Sequence, residues 1–168
     1  MVDVFDLPLQ RALRMAERSP WTIALAAGPV PAWMDRVAAT TVAALATTAF
    51  VLLWNVEPSA KGYDTHVQLG MEPCGWPRTL GIPCPTCGCT TAACHLVHGN
   101  VLEAFVAQPF GALLALFGLL AGLHAVFGLA TRRSFADLLV RLPFWSITFG
   151  ALVLMLLAWL YKYLVFVP

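Results

Sequence analysis

FGALLALFGLLAGLHAVFGLA, residues 110–130, is the stretch that decides the fold. It contains no Asp, Glu, Lys or Arg, and it is longer than the ~18 apolar residues that a membrane-spanning helix requires. Residues 36–54 and 144–167 form two more apolar runs of similar length. Because 60% of all residues are hydrophobic and only 11% are charged, a water-soluble globular domain is excluded. The sequence predicts an all-α integral membrane protein with three transmembrane helices.

The positions of the basic residues predict how these spans are oriented, since Lys and Arg are retained on the cytoplasmic side of a membrane. Lys61, Arg78 and Lys162 fall in the long loop of residues 55–109 or near the C-terminus. The other seven basic residues lie before the first span or between the second and third: Arg11, Arg14, Arg18, Arg36, Arg132, Arg133 and Arg141. We therefore expect a cytoplasmic N-terminus, a cytoplasmic loop at residues 131–143, and an external long loop and C-terminus. A bacterial inner membrane is predicted, and the net charge of +1 excludes a basic surface for nucleic acid.

Residues 1–35 are predicted to be a cytoplasmic segment containing an amphipathic helix. One helical face carries apolar side chains and the opposite face carries basic ones, as seen in Leu9, Leu13, Arg11 and Arg14. A basic amphipathic helix of this kind binds the inner leaflet of the bilayer. The alternative is that its apolar face packs against a partner protein.

The external loop, residues 55–109, is predicted to end in two short helices that lie on the outer membrane interface. The first follows Thr90 and ends at Gly99, which is suited to a helix C-terminus. Asn100, with Glu103 three residues later, forms a capping-box pattern for the second. Proline then marks the start of the second span.

The outer end of the third span carries several aromatic residues between Trp159 and Tyr163. Aromatic side chains near a span end are typical of the membrane interface, and a long basic side chain there extends to the headgroups. We therefore expect an outer aromatic belt, with Lys162 reaching the lipid headgroups.

The external loop contains a metal-knuckle pattern, Cys84-Pro85-Thr86-Cys87-Gly88. Two cysteines separated by two residues bring their sulfurs together in a turn, and the following glycine tolerates the conformation that such a turn needs. Adding Cys74 and His98 gives four ligands, the number found in a closed structural zinc site, with iron as the other candidate ion. Cys94 and His95 are alternates to His98 because the three side chains point roughly the same way on a helix.

Two other interpretations of the cysteines stay open at this point. An external loop faces an oxidising compartment, so Cys74 is available for a disulfide with Cys84 or Cys87, and Cys89 for one with Cys94. A Cys-x-x-Cys pair is also typical of a thiol-redox couple, although no alternation of strands and helices surrounds this pair. Metal and disulfide are both favoured over redox chemistry.

The second span carries two further features. Gly118 and Gly122 are four residues apart, which permits close approach of the first span or of another membrane subunit. His124 is an ionisable residue within a span and thus a candidate ligand for haem or a chlorophyll-type pigment. Because the spans contain no second histidine, a neutral His124 that is hydrogen-bonded to a threonine or a carbonyl is the favoured interpretation.

The motif Cys84-Pro85-Thr86-Cys87-Gly88, followed by His98-Gly99-Asn100 and then Pro109, resembles a known bacterial membrane-protein family. That family is domain of unknown function 2752, and the resemblance covers about residues 74–112. The chain departs from the family pattern at Thr91, where arginine is usual, and at Gln108, where asparagine is usual. The resemblance implies a membrane module and carries no activity with it.

Two functions from different classes follow from these observations. We favour a small non-catalytic integral membrane subunit or scaffold of a larger membrane complex. In this hypothesis the cysteine cluster fixes the external loop, and the Gly118 and Gly122 face docks on partner subunits. The alternative is a thiol-redox or metal-handling membrane protein that uses Cys84 and Cys87. Catalysis is disfavoured because no spacing ties an acidic side chain to the cysteines.

Overall fold

Helices are the regular secondary structure of the residues described by the computed structural model, which are 31–135 and 143–166. No strand occurs within these residues, and the predicted all-α class is confirmed. The predicted amphipathic helix before residue 31 lies outside the described residues. The helices are α1 (Ala32–Trp54), α2 (Gly75–Leu80), α3 (Cys89–Val97), α4 (Val101–Ala107), α5 (Pro109–Thr131) and α6 (Phe144–Val165), with a 3-10 helix at Thr65–Leu69 between α1 and α2.

Helices α1, α5 and α6 are long and apolar enough to cross a membrane, at 23, 23 and 22 residues. With a rise of about 1.5 Å per residue, each exceeds the ~30 Å hydrocarbon core of a bilayer. Large apolar side chains such as Leu45, Phe117 and Phe149 are more than half exposed along them. Such surfaces are stable in lipid and not in water, so the predicted multi-pass membrane protein is confirmed.

Helix α1 packs against α5 through small residues. A β-carbon added at Gly122 would lie only 2.5 Å from the β-carbon of Ala46, and Ala39 and Ala125 are buried in the same contact. The close approach predicted at Gly122 therefore occurs within the chain. A β-carbon added at Gly118 would meet nothing within 4 Å, so the two glycines of the predicted pair differ in their surroundings.

Residues 55–108, here called the cap, connect the end of α1 to the start of α5. The short helices α3 and α4 pack on the first turns of α5 through a cluster of buried alanines: Ala92, Ala104, Ala107 and Ala112. A β-carbon at Gly111 would lie 2.6 Å from the Cα atom of Cys89, so only glycine allows α3 to approach this closely. Small side chains thus hold the cap directly against the N-terminal end of the second span.

The predicted proline in the first turn of the second span is confirmed, whereas the predicted capping box at Asn100 is wrong. The Gln108 side chain caps α5, because its Oε1 accepts the backbone N–H of Gly111 at 2.9 Å. The capping box at Asn100 does not form, and its side chain makes no cap hydrogen bond. Asn100 follows Gly99, which has φ of +82°, and the turn leaves Asn100 at ψ of 69° instead of the extended conformation typical of a capping residue.

The third span is tied to the cap by hydrogen bonds from its C-terminal end. Trp159 Nε1 donates to the carbonyl of Pro83 at 2.9 Å, and the hydroxyl of Tyr161 donates to that of Val106 at 3.0 Å. Lys162 Nζ donates to the carbonyls of Gly62 and Ala107 at 3.0 and 3.1 Å, and the residue is only 6% exposed. The expectation that Lys162 reaches the lipid headgroups is wrong, because backbone carbonyls of the cap satisfy its ammonium group.

The opposite end of the molecule carries basic residues. Arg36, Arg132 and Arg133 line one cavity there, at the start of α1 and the end of α5. Asp35 joins the two helices, since its carboxylate accepts the hydroxyl of Ser134 at 3.0 Å and the backbone N–H of Phe135 at 3.2 Å. Of the basic residues predicted to be cytoplasmic, these three lie within the described residues. They gather at the end of the molecule remote from the cap.

Candidate metal centre

The Cys84 to Gly88 segment forms the predicted tight turn. The backbone N–H of Cys87 donates to the carbonyl of Cys84, and that of Cys89 donates to the carbonyl of Thr86, both at 3.0 Å. Gly88 has φ of +92° and begins α3, and a β-carbon there would lie 2.7 Å from the carbonyl oxygen of Gly62. The glycine is therefore required both by backbone conformation and by the close approach of the neighbouring loop.

Cys74 comes to this turn from a different part of the cap. It precedes α2, and its backbone N–H donates to Oδ1 of Asp64 at 3.2 Å. Asp64 has φ of +65° and leads into the 3-10 helix. This hydrogen bond links the loop that carries Cys74 to the segment that begins at Asp64.

The sulfurs of Cys74, Cys84 and Cys87 all lie within 4.8 Å of one another. Cys87 is buried, and the other two are partly exposed. Three thiolates about 2.3 Å from one ion fit within such a triangle, which is the start of a tetrahedral zinc site. The three cysteines that the sequence placed in one ligand set are thus brought together, and this group can hold a metal ion.

Burial sets the electrostatics of the cluster. Burial raises the pKa of Cys74, with the adjacent Cys84 adding to the effect. Burial, together with the nearby thiolate charges of Cys84 and Cys74, also raises the pKa of Cys87 to about 12. Three thiols at this separation favour their protonated forms unless a cation compensates the charge. A bound metal ion supplies that compensation and displaces the protons.

The structure does not bring the predicted fourth ligand, His98, into the group. Its ring stacks on Trp54 with centroids 5.4 Å apart, and its Nδ1 lies 2.9 Å from the carbonyl oxygen of Cys94. The alternates lie elsewhere too. The Cys94 thiol donates to carbonyls at the end of α1, Val56 among them at 3.2 Å, and His95 lines a separate cavity with Glu103. These three side chains stay out of the cysteine group because the side of α3 that carries them packs toward α1 and α4.

The other cysteine and the intramembrane histidine occupy separate environments. Cys89 lies against Gly111, and burial raises the pKa of its thiol to about 11. Since Cys89 and Cys94 are five residues apart on α3, they lie on different sides of the helix. His124 packs against Phe135 with ring centroids 5.6 Å apart and the ring planes tilted by 37°. Its buried Nε2 has no hydrogen-bond partner within the described residues. Nε2 of His124 therefore does not form the expected hydrogen bond within the described residues.

Two residues of this site were not predicted as part of it. Asp64 and His66 line the same cavity as the three cysteines, with a volume of about 220 Å³. The only sequence signal was that an acidic residue and a histidine share the external loop with Cys74. Spacing rules for metal ligands apply within one turn or helix, so they do not connect His66 with cysteines that approach it only after the loop has folded.

The comparison with protein families concerns this same region of the chain. Residues 74–122 match the family described as Protein of unknown function (DUF2752). The resemblance seen in the sequence is thereby confirmed. The DUF2752 segment contains all three clustered cysteines, α2 to α4 and the first half of α5. No curated protein and no solved structure matches the chain.

Thr91 and Gln108 are the two positions where the sequence was expected to depart from the DUF2752 pattern, and both side chains make defined contacts in the structure. Thr91 is fully buried, and its hydroxyl lies 2.8 Å from that of Thr65, which joins α3 to the 3-10 helix. Gln108 caps α5 and donates through Nε2 to the carbonyl of Pro85 at 3.4 Å. Both side chains therefore hold the cysteine turn in place.

Proposed function

We propose that the protein is a small non-catalytic integral membrane subunit whose cap is fixed by a metal ion bound to Cys74, Cys84 and Cys87. The observation that supports this proposal is the triangle of three sulfurs within 4.8 Å of one another, contributed by two separate loops. Zinc is the expected ion because thiolates bind it strongly and it is not redox-active, with iron as the alternative.

The role proposed for the ion is to join parts of the cap that small helices alone hold weakly. Helix α2 has only six residues and contains no buried residue, so it contributes little packing of its own. A metal ion between Cys74 and the Cys84 turn would link the start of α2 to the start of α3. Binding free energy at a structural zinc site contributes directly to folding.

The alternative function, thiol-redox chemistry at Cys84 and Cys87, is less well supported. A reactive cysteine needs a lowered pKa, and burial raises that of Cys87 to about 12. Asp64, the carboxylate of this cavity, already accepts the backbone N–H of Cys74. A hydrolytic metal site would need an acidic side chain as a general base. Asp64, the acidic side chain of this cavity, is instead engaged in a structural hydrogen bond.

The cap is proposed to be external, in the inner membrane of a bacterium. Support comes from Arg36, Arg132 and Arg133, which gather at the end remote from the cap, since basic residues concentrate on the cytoplasmic side. Partner membrane subunits are proposed to dock on α5 around Gly118. The support for this is the open space around that glycine, which would admit the helix backbone of a partner.

The metal content and the free-thiol count of one purified sample test the proposal. We expect one zinc or iron ion per chain, and we expect Cys74→Ser, Cys84→Ser and Cys87→Ser each to lose it. Cys94→Ser is the matched control, because Cys94 is a buried cap cysteine outside the group. Absence of metal, together with a mass two hydrogens lighter across residues 74–87, would replace the metal site with a disulfide.

A further inference from the structure

A tetrahedral site needs one ligand more than the three sulfurs supply, and His66 lies in the wall of the same cavity. That cavity, of about 220 Å³, is lined by His66, Asp64 and all three cysteines of the group. His66 is not part of the group whose ligand atoms lie within 4.8 Å of one another, and its side chain is 23% exposed. Imidazole nitrogen is the ligand that most often accompanies thiolates in closed zinc sites.

The hydrogen bond made by His66 leaves one ring nitrogen suited to a metal ion. Its Nε2 lies 3.0 Å from the backbone carbonyl oxygen of Glu72. A carbonyl only accepts hydrogen bonds, so Nε2 carries the proton and Nδ1 of the neutral ring keeps its lone pair. Histidines that bind metals usually donate their other N–H to a carbonyl or carboxylate in this way.

The contacts of Asp64 connect His66 to the backbone of Cys74. Oδ1 of Asp64 accepts the backbone N–H of Cys74 at 3.2 Å and lies 4.0 Å from Nε2 of His66. Asp64 and Glu72 therefore both lie near Nε2 of His66 and connect this edge of the imidazole ring to the loop that carries Cys74. Movement of this loop toward the sulfur triangle would carry His66 with it.

The other histidines of the chain are less suited to complete the site. All four histidines and all five cysteines lie within the described residues. His98 is stacked on Trp54, His95 lines a different cavity, and His124 lies in the second span beside Phe135. None of these three lines the cavity that contains the clustered sulfurs.

We propose that His66 binds the metal ion through Nδ1 as the fourth ligand, which gives a Cys3His site of Cys74, Cys84, Cys87 and His66. This inference rests on the proposed function. Closing the site requires the His66 ring to move toward the sulfurs, so metal binding draws the segment from Asp64 to Cys74 onto the Cys84 turn. The ion thus links three segments of the cap.

Zinc affinity and the spectrum of the cobalt-substituted full-length protein in detergent test this assignment. His66→Ala should lower zinc affinity by more than about 100-fold, since loss of an outer-shell partner alone costs 10–100-fold. It should also shift the ligand-field bands of bound Co²⁺ and remove imidazole scattering from the X-ray absorption spectrum at the zinc edge. His95→Ala and His98→Ala are the matched controls, each removing one cap histidine, and both should keep the wild-type spectrum.

The possible outcomes separate this inference from the proposed function. If His66→Ala keeps the wild-type spectrum and affinity, His66 is not a ligand, although a metal site on the three cysteines stands. If His98→Ala instead loses the imidazole signal, the ligand predicted from the sequence is correct and the present assignment is refuted. If the wild-type protein and all three variants bind no metal, the proposed function fails and this inference fails with it.

Discussion

The substitution Gly122→Ile tests the packing of α1 against α5. A β-carbon at position 122 would lie 2.5 Å from the β-carbon of Ala46, whereas two carbon atoms in contact settle about 3.5–4.0 Å apart. The two helices must therefore separate locally by about 1 Å. Overpacking of this kind costs about 1–3 kcal/mol. Because 1 kcal/mol shifts Tm by about 2–4 °C in a chain of this size, the expected loss is about 2–12 °C.

Thermal unfolding in one detergent, followed by circular dichroism, measures this loss. Gly118→Ile is the matched control, since it adds the same side chain to the same helix one turn earlier. A β-carbon there meets nothing within 4 Å, so the Tm of this variant should stay close to that of the wild type. A wild-type Tm for Gly122→Ile would refute the described packing of α1 on α5, and so would a larger loss for Gly118→Ile.

Three further predictions concern partners, pH and topology. Gly118→Ile should reduce the recovery of co-purifying membrane subunits while leaving Tm unchanged, and full recovery would mean that this face meets lipid. In metal-free protein, the raised pKa of Cys87 stabilises the fold fully below the ordinary thiol value of 9.0, and this contribution is lost as the pH rises toward about 12. Cys87→Ser should show a smaller decline of Tm over that range, and an equal decline would contradict this assignment. A membrane-impermeant amine label on intact cells should reach Lys61. In the variant Arg132→Lys, labelling of residue 132 from outside would invert the proposed orientation.

The spans were predictable because length and apolar composition decide them almost alone. A helix that crosses a bilayer must satisfy all its backbone hydrogen bonds internally, so a long run without charges has few other conformations. The predicted second span, residues 110–130, differs from α5 by one residue at each end. The first span was predicted to begin at residue 36, yet α1 begins at Ala32. The helix can include Asp35 because its carboxylate is hydrogen-bonded to Ser134 and Phe135, which the local sequence does not indicate.

The cysteine cluster was predictable in part. The turn of Cys84 and Cys87 follows from local spacing, and Cys74 was correctly grouped with it. His98 was chosen because it lies at the helix end beside Gly99 and matches the position expected from the family resemblance, but helix direction decides which way a side chain points. Helix α3 turns His98 toward Trp54 at the end of α1. His66 approaches the sulfurs only through the folding of a loop with no periodic pattern, so no spacing rule identifies it.

The environment of Lys162 shows how the third span contributes to the cap. A lysine at the end of a span usually extends to the headgroups, because desolvating an ammonium ion is costly. Here the ammonium donates to Gly62, whose carbonyl oxygen also lies against Gly88, the residue after Cys87. Three thiolates around a divalent ion would carry one net negative charge, and a buried ammonium one loop away offsets it. Electrostatic attraction would then add to the hydrogen bonds of Trp159 and Tyr161, so the charge of the proposed metal centre would help to hold the third span against the cap.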